Sequence, residues 1–166
     1  MAQAKKTSGT PAIVAAERAG IAFEVLEYGH VPGAESYGLE AALALGVAPE
    51  LVFKTLIASV EIGDGAKLVV AIIPVMERLN LKSLAAAAGG KRAEMAMPTD
   101  AERATGYVVG GISPLGQRRR LTTVLDQSAS DHATIYVSAG RRGLELALAP
   151  NDLARLTDAT FGAITA

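Results

Sequence analysis

Apolar positions recur in short blocks with two different periods, and turn residues separate them. Ile13, Val14 and Ala16 share a helical stripe, with Thr10 placed to cap it, Pro11 at the first helical position and Gly20 to stop it, so a helix is predicted from Pro11. Ile21 to Tyr28, rich in β-branched and aromatic residues, reads as a strand. Ser36 to Leu45, closed by Gly46, reads as a second helix that offers Leu39, Ala42, Leu43 and Leu45 for burial. Val52 to Ile62 predicts a strand that turns at Gly63-Asp64-Gly65 and returns as Lys67 to Ile73, the clearest hairpin in the chain. Leu79 to Ala88 is an alanine-rich helix stopped by Gly89 and Gly90, and Thr99 with Glu102 fits a capping box for a short helix ending near Gly106. Leu121 to Leu125, Ala133 to Ser138 and Leu144 to Ala149 are strand candidates. Asn151 to Thr157 reads as a helix, and Phe161 to Ile164 as an edge strand.

Hairpins outnumber helical crossovers, which predicts an α/β (α+β) fold with a mixed, mainly antiparallel, barrel-like sheet flanked by short helices. Residues 1–9 are small and polar without a period and read as a flexible tail, leaving one domain over 10–166. With 50% hydrophobic and 20% charged residues in 166, the chain can bury a core of its own. The strongly apolar run Leu68 to Met76 is interrupted by Pro74 and is too short for a bilayer core of about 30 Å. Glu17 and Arg18 break the apolar stretch after Lys5 and Lys6, so no signal-peptide core can be drawn and the expected address is the cytoplasm. The absence of cysteine excludes disulfides, thiolate nucleophiles and cysteine-based metal centres, and two histidines make no histidine-rich one; no metal and no cofactor are expected.

Sixteen Lys plus Arg against seventeen Asp plus Glu give a net charge of −1, which argues against bulk nucleic-acid binding and directs attention to local charge. Arg118, Arg119 and Arg120 are consecutive, and Arg141 with Arg142 follows; the two groups are either solvated turns or one basic rim on an otherwise neutral body. Lys54 shares a strand face with Val52, Leu56, Ala58, Val60 and Ile62, an otherwise apolar row. A lysine there either snorkels into water or holds an ammonium at a pocket mouth, ready for an anionic or carbonyl oxygen. Thr55 points to the other face and would join Lys54 only through a bulge. Gly110-Gly111-Ile112-Ser113-Pro114-Leu115-Gly116 is the strongest loop signal, because adjacent glycines can turn backbone N–H groups toward a ligand oxygen. It lacks the spacing and the Lys-Ser or Lys-Thr ending of a nucleotide-binding P-loop. Ser138-Ala139-Gly140-Arg141-Arg142-Gly143 is a basic hairpin turn or a second wall of the same pocket. Ser113 or Ser138 with His30 or His132 makes only a weak triad, since neither serine lies in a nucleophile elbow. Glu24 and Glu27 show no spacing that marks acid/base work.

Together, Thr10-Pro11, Tyr28-Gly29-His30, Val52-Phe53-Lys54-Thr55-Leu56, Thr105-Gly106-Tyr107 running into the 110–116 loop, and Ala133-Thr134-Ile135-Tyr136-Val137-Ser138 closely resemble the bacterial YbaK family. Those proteins are Cys-tRNA(Pro) deacylases, and the likeness runs from about Thr10 to Ile164. It implies a free-standing relative of the prolyl-tRNA synthetase editing domain, acting in trans on mischarged tRNA, with that synthetase as a transient partner. By motif position Lys54 matches the family's required lysine, and Tyr28, Thr55, Gly110 and Ser138 match other pocket residues; Gly111 and Ser113 lie in the same loop motif. Two departures stand out: relatives usually carry Gly-Gly after the serine and an aspartate further on, where this chain has Ala139 and Glu145. The acidic group survives at Glu145 with one more methylene, so it stays among the expected substrate-binding residues.

The implied chemistry explains how an ester can be cleaved without a protein nucleophile. Size sorting gains only about 10 to 200-fold per methylene, too little to separate cysteine from alanine, serine or proline. Attack by the substrate's own thiolate on its ester carbonyl gives a cyclic thioester and free tRNA, so selectivity lies in the reaction. Two other readings remain open: a water-using deacylase of another small amino acid such as Ala-tRNA(Pro), and a non-catalytic module that binds tRNA or a synthetase.

Overall fold

The computed structural model describes residues 9–29 and 37–166, together with the backbone of Gln3–Ala4. His30 and the start of the expected second helix at Ser36 lie outside the described residues, as does most of the amino-terminal stretch. Strand β1 (Gln3–Ala4) pairs antiparallel with β2 (Phe23–Glu27), so these two residues add an edge to a sheet. Helix α1 (Pro11–Ala19) forms as its sequence dictates: Thr10 Oγ1 accepts from the Ile13 N–H at 3.3 Å, Pro11 opens the first turn, and Gly20 closes it at φ 68°.

After α2 (Tyr37–Leu45), a short 3-10 turn at Pro49–Leu51 leads into β3 (Phe53–Ile62) and β4 (Gly65–Pro74), joined by a two-residue turn whose Gly63 sits at φ 61°. Helix α3 (Leu81–Ala87) is capped by Asn80, whose Oδ1 accepts from the Ser83 N–H at 3.0 Å. The chain continues through β5 (Arg92–Met95), α4 (Pro98–Thr105), β6 (Thr122–Asp126), β7 (Ile135–Arg141), β8 (Leu144–Leu148), α5 (Pro150–Thr157) and β9 (Thr160–Gly162).

The strands divide into an antiparallel sheet of order β1-β2-β8-β7 and a mixed sheet of order β5-β3-β4-β6-β9, in which β4, β6 and β9 run parallel. Among the described residues they do not close into a barrel, and a parallel bridge between Val52 and Tyr136 links them. Their facing sides make the main core: Phe53, Ile57, Val70, Ile72 and Leu125 meet Val25, Ile135, Val137, Leu146 and Leu148, with α1 and Leu153 of α5 packed in. The other face of the mixed sheet carries Ala58, Val60, Val69, Ala71 and Ile73 under Leu84 and Ala85 of α3. Strand β4 is therefore buried on both faces, which is why its sequence is a continuous apolar run rather than an alternation.

Four expectations change. The capping box fails because Pro98 opens α4 behind Met97, an N-cap without a side-chain bond, which puts Thr99 inside the helix; Glu102 instead accepts from the Val109 N–H at 2.9 Å. Strand β5 was absent from the apolar pattern because it lies at a sheet edge and is mostly exposed. The strand expected over Ala133 to Ser138 begins at Ile135 and runs on to Arg141, because residues 127–131 form a 3-10 turn that ends at His132. The closing strand is Thr160–Gly162, and Ile164 lies beyond it, its N–H donating to Asp126 Oδ1 at 3.1 Å.

Candidate active site

Strand β3 has two neighbours over only part of its length. It pairs with β4 throughout and with β5 over Ala58–Glu61, while Val52 touches Tyr136. Between these contacts the β3 edge is open, and a cavity of about 410 Å³ occupies the opening. Its walls include Val52 through Ile57, Tyr28, Met95, Ala96, Val109, Gly110, Ile112, Ser138, Arg141, Arg142 and Glu145. Lys54 and Thr55 thus meet at one site although the β3–β4 register is unbulged from Phe53 to Ile62. The cavity wraps the strand edge, so side chains from both faces reach it; the bulge that alternation demanded is not needed.

Lys54 is half-buried, and burial holds its ammonium below the usual lysine range; the neighbouring Arg78 charge adds to this and Glu77 opposes it. Thr55 Oγ1 is buried without a hydrogen-bond partner. Tyr28 follows β2 and donates its N–H to Gly143 O at 2.9 Å; burial, and then the negative charge of Glu145, push its phenol up to about 12. Glu145, in β8, stands opposite Ser138 on one side and Leu26 on the other. It is only 6% exposed, and burial pushes its carboxyl up to about 8.

The glycine loop forms another wall because three clamps hold it. Glu102 accepts from Val109 N–H, Arg142 Nη2 donates to Val109 O at 3.1 Å, and the Tyr107 hydroxyl donates to Leu115 O at 2.7 Å. Gly110 faces the cavity at φ 96°, a backbone that favours glycine. Gly111 does not line the cavity. Its N–H donates to Val108 O at 2.8 Å, and a Cβ there would stand 2.9 Å from Arg141 Cα, so it packs the loop onto the β7–β8 turn. Opposite, β7 is irregular between Ser138 and Arg141. Ser138 Oγ accepts from the Gly140 N–H at 3.1 Å, and the buried Ala139 offers its carbonyl to the Thr10 hydroxyl.

The remaining candidates fall elsewhere. Ser113 is fully buried and outside the cavity; its Oγ accepts from the Leu115 N–H at 3.2 Å, so it shapes the loop. With His132 ending a 3-10 turn, no histidine among the described residues lines the cavity, and no triad forms there. The arginines do not make one rim: Arg141 and Arg142 line the main cavity, whereas Arg119 and Arg120 line a second one of about 250 Å³ and Arg118 lies beside Gly106. Sequence patterning missed Met95, Ala96 and Val109, apolar walls supplied by a loop and an edge strand that carry no periodic signal. Among the described residues no cluster of His, Cys, Asp and Glu could hold a metal ion, and no helix is long and apolar enough to cross a membrane.

Comparison with known proteins agrees with this geometry. The aminoacyl-tRNA editing domain family matches residues 31–156. An Enterococcus faecalis protein named as a candidate Cys-tRNA(Pro)/Cys-tRNA(Cys) deacylase, EbsC, is 42% identical over 124 residues, covering 75% of this chain and 74% of its own. Among solved structures, a candidate trans-editing enzyme for prolyl-tRNA synthetase superposes with a TM-score of 0.78 at 24% identity, over 96% of this chain and 99% of that one. A hypothetical protein superposes at 0.82 with 24% identity, over 95% of this chain and 100% of the other, and both likenesses concern the fold. The extent of the family match and the identity to this relative show that the chain belongs to the aminoacyl-tRNA editing domain family.

Proposed function

We propose that this protein is a trans-editing deacylase that cleaves the ester of mischarged Cys-tRNA(Pro) in the cytoplasm, with residues 10–166 acting as one catalytic unit. The observation that carries the reading is the cavity at the open β3 edge, where Lys54, Gly110 and a buried acid meet and where no cysteine and, among the described residues, no histidine lines the wall to activate a hydroxyl. The relative named for Cys-tRNA supports the substrate. Prolyl-tRNA synthetase enters as a transient partner that delivers the mischarged tRNA.

In this mechanism the substrate cysteine's thiol loses its proton and its sulfur attacks the ester carbonyl carbon. The bond from that carbon to the ribose oxygen breaks, the oxygen takes up a proton, and a cyclic thioester leaves beside free tRNA. The protein's part is to position the thiol, exclude water and place donors on the developing oxyanion. Gly110 N–H and the Lys54 ammonium are the donors at hand, and a charge about 4 Å away is worth on the order of 4 kcal/mol at an effective dielectric of 20.

Deacylation of Cys-tRNA(Pro), Ala-tRNA(Pro) and Pro-tRNA(Pro) by wild type and Lys54→Ala, at one salt concentration, tests this. Rapid loss of cysteine alone is expected, with the folded Lys54→Ala protein slower by roughly 100 to 1,000-fold. Preferential loss of alanine would replace the thiol route with a water-using one, and no cleavage at all would leave a binding module.

A further inference from the structure

Glu145 is a buried acid with no protein counter-charge. Among the described residues its side chain makes no hydrogen bond or ion pair, yet it borders the cavity from the second position of a five-residue strand that is buried throughout. The cations around the cavity are occupied elsewhere: Arg141 Nη2 pairs with Glu27 at 3.0 Å, Arg142 holds the Val109 carbonyl, and the charges that act on Lys54 are those of Arg78 and Glu77. A carboxyl removed from water without a partner is costly to keep, so a position of this kind suits an acid completed by its ligand.

We propose that Glu145 receives the α-amino group of the bound aminoacyl ester and thereby restricts the site to esters whose amine is free. This rests on the deacylase reading above and deepens it: the cysteine thiol supplies the reaction, and Glu145 checks that the acyl group is an unblocked amino acid. An α-amine offers N–H donors to an acid otherwise without one, and Thr55 Oγ1, the orphaned hydroxyl in the same cavity, provides a further acceptor. Proton balance couples the pairing to pH. An α-amino group titrates at about 7.7 to 8.0 and burial pushes the Glu145 carboxyl up to about 8, so near neutral pH the two carry more than one proton before they meet, and forming the ammonium–carboxylate pair releases the excess proton to solvent. Tyr28 is the other titratable group facing this acid, and it stays neutral over the same range. An N-acylated ester loses the ammonium and adds bulk, while an ester lacking the amine leaves the acid uncompensated.

The test uses single-turnover cleavage of cysteinyl-, N-acetylcysteinyl- and 3-mercaptopropionyl-tRNA by wild type, Glu145→Gln and Glu145→Asp. All three esters carry the thiol. Wild type is expected to prefer the free amine by roughly 10 to 100-fold, the range of a charge-assisted hydrogen bond. Glu145→Gln should slow the cysteinyl ester alone and close that gap, whereas Glu145→Asp should keep much of it. A glutamine variant that slows all three esters equally, or a wild type indifferent to the amine, would overturn the assignment. Binding of 3′-cysteinylamido- and 3′-(3-mercaptopropionyl)amido-adenosine, which cannot be cleaved at the ester, separates the two readings. Amine-selective, Glu145-dependent binding without cleavage of any ester would sink the deacylase reading and keep the Glu145 assignment, and equal binding of the two would sink the assignment itself.

Discussion

The Glu145 carboxyl lies in a nearly closed environment, and its burial destabilises the empty protein. The group's pKa rises from its ordinary value of 4.5 in the unfolded chain to about 8 in the folded one, so between those values the folded state holds more protons and stability falls as pH rises. Below pH 4.5 both states are protonated and the penalty vanishes; above about 8 it is present in full. Glu145→Gln keeps the shape and removes the ionisation. Thermal unfolding of the two proteins should coincide near pH 4 and diverge toward pH 9, with the glutamine variant melting higher. A constant difference across that range would mean that the carboxyl has an ionic partner in the folded protein.

Among elements, the glycine loop is placed by its clamps rather than by its own conformation. Gly111 has only 2.9 Å between a would-be Cβ and the Arg141 backbone, so Gly111→Ala must push the loop off the β7–β8 turn and carry Gly110 with it. Because a displacement of about 1 Å at a reacting centre can reduce rates 100-fold, kcat/KM for deacylation is expected to fall by about that factor while the fold survives. Unchanged kcat/KM would show that the loop takes no part in the site. The loop itself was legible in the sequence, as were α1, the β3–β4 hairpin and most helix ends, because caps, glycine stops and two-residue turns act through neighbouring residues. What could not be read was which groups of the loop face inward. The inward turn of Ser113, the use of Gly111 N–H by Val108, and the reach of Glu102 to Val109 depend on contacts that no local period encodes. The same limit hid β5 and the joint access of Lys54 and Thr55, since an open strand edge is a property of the sheet and not of the strand.

Over the whole molecule, a net charge of −1 means that tRNA binding, as proposed above, would fall to local arginines, and the structure sets the two groups apart. Arg141 and Arg142 border the main cavity while bonded to Glu27 and to the glycine loop, so their side chains help hold the walls in place. Arg119 and Arg120 line the second cavity beside Gln117 and Pro114, and among the described residues their side chains make no hydrogen bond or ion pair. In the deacylase reading they are candidates, with the exposed Arg118, for phosphates of the acceptor stem. Replacing both by alanine should weaken tRNA binding without regard to the amino acid attached, and should flatten the plot of log affinity against log salt by about 0.9 for each phosphate that is no longer neutralised. Cleavage of a short aminoacyl-adenosine ester, which has no acceptor stem, should stay at the wild-type rate. Arg142→Ala is expected to behave in the opposite way: by releasing Val109 it disturbs the loop, so it should slow the short ester and the full tRNA alike. Binding measured between about 50 and 200 mM salt, beside single-turnover rates on both substrates, distinguishes the two roles; a salt slope unchanged by the removal of Arg119 and Arg120 would place the acceptor stem on another face of the protein.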